Sequence, residues 1–88
     1  MKKLAIRLTS KLETEYLTSR LDKSFIAYKR FDLQSNETDS EVWIEVSDIR
    51  ISGFNRGMII FEFYTNTIQP AVISIDIKYV ENFSIWAV

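Results

Sequence analysis

From residue 41 to residue 88 the chain alternates apolar and polar side chains with a period of two, broken at short intervals by turn formers. A helix cannot hold such a pattern on one face, whereas a half-buried strand requires it. Val42, Ile44 and Val46 alternate with Trp43 and Glu45, while Ile49 and Ile51 take the opposite parity. The change of parity predicts a bulge or bend at Ser47-Asp48 within one kinked strand. Residues 53–57, with Gly53 and Gly57, read as a turn, and residues 58–65 are apolar on both faces, as a central strand covered on two sides requires. This strand is expected to be the most buried. Residues 66–70 reverse the chain, after which Ala71, Ile73, Ile75, Ile77 and Tyr79 alternate with Val72, Ser74, Asp76 and Lys78. A turn at Glu81-Asn82 then leaves a terminal strand with Phe83, Ile85 and Ala87 opposite Ser84, Trp86 and Val88. Connections this short make sequence neighbours antiparallel.

The first third of the chain reads differently. Leu4, Ile6 and Leu8 alternate with Ala5 and Arg7, a strand pattern, although Leu4, Leu8, Leu12 and Tyr16 also suit one longer helix. Ser10 and Glu13 stand at the spacing of a capping box, in which each side chain satisfies a backbone N–H left free at a helix start. That argues for a break near Thr9 and a helix over residues 10–23, with Leu12, Tyr16, Leu17 and Leu21 as its apolar stripe and Lys11, Glu15, Thr18 and Asp22 away from it. Residues 25–31 form a second, aromatic-rich strand, and the polar run 34–40 is the clearest loop. The fold class expected is α+β: an N-terminal β-α unit, then an antiparallel β-meander of about four strands with the helix packed on one face of the sheet, in one small domain spanning residues 1–88.

Composition limits the chemistry. The 88 residues include no Cys and no His, which removes thiol nucleophiles, imidazole bases, disulfides and the usual zinc sites. No catalytic residue, metal or cofactor is expected. Asp76-Ile77-Lys78, on one strand face with Asp48 or Glu62 as a second acid, resembles the acidic-x-Lys strand of restriction-type nucleases that hold Mg²⁺. So short a pattern recurs by chance, and a strand face whose charges pair across strands is the expected reading. Met1-Lys2-Lys3 could open a leader, but Arg7 interrupts the apolar stretch behind it, so a cytoplasmic location and no membrane span are expected.

Charge is uneven along the chain: residues 1–30 carry eight Lys/Arg and three Asp/Glu (+5), and residues 31–88 carry three and nine (−6), which sums to the net −1. Residues 56–63, beginning Arg56-Gly57, resemble the signature of the RNA-recognition motif, yet Met58 and Ile60 stand where its stacking aromatics belong, and the acidic balance opposes phosphate. A nucleic-acid partner, which would use Lys2, Lys3, Arg7, Arg20, Lys23, Lys29 and Arg30, is therefore not expected. The parity of Trp43 and Trp86 turns them outward if the aliphatic positions are core. Exposed Trp beside carboxylates is the composition of an interaction hot spot. The expected function is a non-enzymatic protein-binding module of inhibitor type, similar in character to immunity proteins and phage-encoded inhibitors of host defence. It would block a partner's basic surface through Glu41, Trp43, Glu45, Asp48, Glu62 and Trp86. The alternative is a self-assembling accessory subunit, a homodimer joined through a strand edge or a sheet face.

Overall fold

A computed structural model describes residues 1–33, 39–66 and 69–88. The order is β1 (Lys2–Leu8), α1 (Lys11–Lys23), β2 (Tyr28–Asp32), β3 (Ser40–Val46), β4 (Asp48–Asn55), β5 (Met58–Tyr64), β6 (Ala71–Asp76), a 3-10 turn (Ile77–Tyr79) and β7 (Val80–Ala87). The class is α+β, a β-α unit followed by antiparallel strands, with the helix on the sheet. The strands divide into two antiparallel sheets, β2-β3-β1-β7 and β4-β5-β6. The division falls at Ser47, where the sequence places a bend: the chain leaves β3 in the first sheet and enters β4 in the second, and the Ser47 N–H donates to the Tyr64 carbonyl at 3.0 Å. The parity switch lets both Val46 and Ile49 point into the core although they belong to different sheets.

Leu4, Ile6 and Leu8 of β1, Val42, Ile44 and Val46 of β3, Ile59, Phe61 and Phe63 of β5, and Ile73 and Ile75 of β6 form one core, closed by Leu17 and Leu21 of α1. Every one of these alternating positions points inward, as the period of two requires. β5 is the central strand of its sheet and has no exposed residue, its outer side chains being half-buried.

The helix starts as its capping box indicates, with the Ser10 hydroxyl accepting from the Glu13 N–H at 3.3 Å. Its inner face differs from the expected stripe. Thr14, Leu17, Thr18 and Leu21 are buried, while Leu12 is 82% exposed and Tyr16 is 43% exposed. The buried threonine hydroxyls are satisfied within the helix: Thr14 donates to the Ser10 carbonyl at 3.0 Å and Thr18 to the Thr14 carbonyl at 2.9 Å. Threonine can therefore sit against the core with its methyl group packed and its hydroxyl paired.

Three further boundaries differ from the sequence reading. The second strand begins at Tyr28 rather than Phe25, because residues 24–26 close the helix. The strand from Ala71 ends at Asp76, whose carboxylate accepts from the Lys78 N–H at 3.1 Å and so caps the 3-10 turn; the break before the last strand lies there and not at Glu81-Asn82, which belong to β7, and β6 and β7 lie in different sheets instead of pairing as antiparallel neighbours. In the expected loop 34–40, residues 34–38 lie outside the described residues, and Ser40 already opens β3, donating to Asp32 at 3.1 Å. Of the turn 66–70, residues 67 and 68 likewise lie outside them. Among the described residues no helix is long and apolar enough to cross a membrane.

Candidate functional site

The outer face of the four-stranded sheet is built by the strand positions that alternate with the core. β1 contributes Lys3, Ala5 and Arg7, β3 contributes Glu41, Trp43 and Glu45, β2 contributes Lys29 and Phe31, and β7 contributes Asn82, Ser84 and Trp86. Cross-strand register places Lys29 beside Trp43, Trp43 beside Ala5, and Lys3 beside Trp86. Ala5 between the two tryptophan-bearing strands is small, so the rings can meet over β1. Trp43 lies edge-on to Trp86 with ring centroids 6.0 Å apart, and edge-on to Phe31 at 5.9 Å. Each geometry is the favoured arrangement for aromatic quadrupoles. The result is a continuous ladder, Phe31–Trp43–Trp86, across the sheet. It stays open, with Phe31 47%, Trp43 40% and Trp86 38% exposed. A hollow of about 340 Å³ beside it is lined by Lys3, Tyr28, Lys29, Phe31, Trp43 and Glu45, among others.

The carboxylates of this face are not free. Glu41 accepts the Trp43 indole N–H at 2.7 Å and faces Arg7 at 3.6 Å, while Glu45 faces Lys3 at 3.6 Å. Antiparallel pairing sets the cations of β1 directly against the anions of β3, so the basic and acidic halves of the sequence neutralise one another here instead of forming two opposed surfaces. The indole hydrogen bond also fixes one ring of the ladder.

Of the six residues singled out from the sequence, Glu41, Trp43, Glu45 and Trp86 come together on this face, and Asp48 and Glu62 do not. Asp48 sits where the chain changes sheets, bound by Lys2 at 2.8 Å and Arg50 at 3.0 Å. These two cations, with the Ile49 N–H, hold its carboxyl well below the usual range, at about 2, against a smaller opposing effect of burial. Glu62 lies in the second sheet and accepts the Tyr64 hydroxyl at 3.0 Å, which raises the Tyr64 pKa. Phe31 was missed as a site residue. Its parity with Lys29 was legible, but only the pairing of β2 with β3 brings it to Trp43.

The Asp-x-Lys arrangement is not a strand face. Asp76 ends β6 as a turn cap, its other oxygen lies 3.7 Å from the Lys78 ammonium, and Lys78 lies over the Tyr79 ring. Neither proposed second acid joins it: Asp48 is held by Lys2 and Arg50, and Glu62 stands four residues along β5 from Met58, the partner of Asp76. Among the described residues no cluster of three acidic, His or Cys side chains is placed to hold a metal ion. No protein-family model, no curated protein and no solved structure matches the chain.

Proposed function

We propose that this chain is a non-enzymatic protein-binding module of inhibitor type, which occludes a partner through the outer face of the sheet β2-β3-β1-β7. The observation that carries this reading is the exposed aromatic ladder Phe31–Trp43–Trp86. Rigid aromatic side chains lose little conformational freedom on binding and dominate the energy of interfaces, especially inside a polar rim that excludes water. Lys3, Arg7, Glu41 and Glu45 supply such a rim, with both signs of charge. A sequence without His or Cys lacks the commonest general bases and nucleophiles, in keeping with a role that needs none.

The partner addressed by this face has an apolar centre and a rim of mixed charge. Because Arg7 and Lys3 answer Glu41 and Glu45, affinity rests on the aromatic ladder more than on net acidity. Affinity capture from cell lysate is expected to recover a specific protein with the unaltered chain, and Trp43→Ala with Trp86→Ala, in a variant that circular dichroism shows to be folded, is expected to reduce its retention at least tenfold. Recovery of no specific protein, or equal recovery by the double variant, would overturn the proposal.

A further inference from the structure

Four strand edges have no strand partner among the described residues, those of β2, β7, β4 and β6. Unpaired edges invite association, and proteins guard them with charge, bulges, brevity or cover. Three of these edges are guarded. β2 is five residues long and carries Lys29, Arg30 and Asp32. β4 carries Asp48 and Arg50, and its register with β5 breaks between Ile51 and Gly53. β6 follows Pro70, and the Arg20 guanidinium covers its edge by donating to the Val72 carbonyl at 3.2 Å. β7 is eight residues long and has a single charged side chain, Glu81, no proline, and exposed Phe83 and Trp86.

The direction of its free backbone groups follows from the ladder. The Val88 N–H donates to the Met1 carbonyl, so in the alternating antiparallel pattern Trp86 and Ser84 bond to β1 while Phe83, Ile85 and Ala87 turn their N–H and C=O groups away from it. That row can be satisfied by another extended strand.

The geometry points to a second copy of this chain as the occupant, paired antiparallel through β7 about a two-fold axis at Ser84. This register places Phe83 of one copy across from Ile85 of the other on the inner face, Asn82 across from Trp86 on the outer face, and Glu81 across from Ala87. Outward-turned groups meet outward-turned groups, apolar meets apolar, and the single charge meets none of its own sign. The two sheets become one of eight strands, β2-β3-β1-β7 continued into its symmetry mate. Its outer face carries both aromatic ladders. The pairing itself is independent of the partner-binding reading and is tested without any partner.

Sedimentation analysis of the full chain over a range of concentrations is expected to show a species of twice 10.3 kDa. Ser84→Lys puts two ammonium groups at the axis and is expected to leave a folded monomer whose thermal midpoint no longer depends on protein concentration. Ser84 forms the non-hydrogen-bonded pair at the axis, where Cα atoms lie about 4.5 Å apart, within disulfide reach. The chain has no cysteine, so oxidised Ser84→Cys is expected to give one intermolecular disulfide, whereas Ser52→Cys is expected to give none. A monomer at every concentration, a dimer that Ser84→Lys leaves intact, or equal cross-linking by both cysteine variants would overturn the inference.

Discussion

Phe25 occupies a position that most chains give to glycine. The Phe25 N–H donates to the Asp22 carbonyl at 3.1 Å and the Ile26 N–H to the Leu21 carbonyl at 3.0 Å, the two hydrogen bonds of a Schellman motif, and Phe25 takes the left-handed conformation with φ 56°. Leu21 and Ile26, the hydrophobic pair that accompanies this motif, are both buried, so the core holds the turn in place. Phe25 itself is 95% exposed and recovers little by packing. Phe25→Gly is therefore expected to stabilise the fold by about 0.5–1 kcal/mol, the left-handed penalty of a Cβ less the added freedom of glycine in the unfolded chain. Urea denaturation measures it, and an unchanged or lower midpoint would refute the strain. Arg56 shows the same economy. With Gly57 it forms the two-residue β4–β5 turn, both at positive φ (53° and 75°), the backbone of a type I′ hairpin. Asparagine visits that region more readily than arginine, so Arg56→Asn is expected to raise the thermal midpoint modestly, read by calorimetry. The chain has two glycines, both in this hairpin region, which leaves side-chain-bearing residues at the other left-handed positions.

At the scale of elements, the helix separates pattern from packing. Two stripes are available on residues 11–23, one through Leu12 and Tyr16 and one through Thr14 and Thr18, and both include Leu17 and Leu21. Hydropathy favours the first and the structure uses the second. A threonine whose hydroxyl bonds back to its own helix presents a methyl group to the core at little polar cost, and hydropathy does not register that. Leu17→Ala is accordingly expected to cost about 2–5 kcal/mol, while Leu12→Ala stays within about 0.5 kcal/mol. Equal losses in chemical denaturation would return the helix to the orientation expected from its sequence. The ends of β6 and β7 carry the same lesson. Alternation runs unbroken through Ile77 and Tyr79, yet Asp76 caps a 3-10 turn there, because a carboxylate within reach of a backbone N–H competes with the strand ladder.

For the whole molecule, the charge asymmetry is resolved by topology. Lys2, Lys3 and Arg7 of β1 meet Asp48, Glu45 and Glu41, so the basic start of the chain is the counter-charge of its acidic middle. Asp48 is the junction of that system, lying between the sheets with Lys2 on one side and Arg50 on the other. Its folded pKa of about 2 lies below the value of about 3.9 for an unfolded Asp. Between those values the unfolded chain binds more protons, so the contribution of Asp48 is complete above about pH 4 and is lost as pH falls through about 2. Asp48→Asn is expected to flatten the fall of the thermal midpoint between pH 4 and pH 2 at low salt, and an identical slope in the variant would show that the pairing contributes nothing.

The sequence by itself determined which strand positions of β1, β3, β5 and β6 face inward, and it marked a helix cap at Ser10 and a bend at Ser47-Asp48, because pleat, capping and parity are local properties of the backbone; which face of the helix is buried it did not determine. It turned Trp43 and Trp86 outward only on the condition that the aliphatic positions are core, and the structure meets that condition. Only the tertiary structure decided that the strands form two sheets and that β1 lies between β3 and β7. Alternation is satisfied equally by any antiparallel partner, and the choice among partners is made by the total burial that one arrangement of the whole chain achieves. That choice makes the aromatic ladder and leaves β7 at an edge.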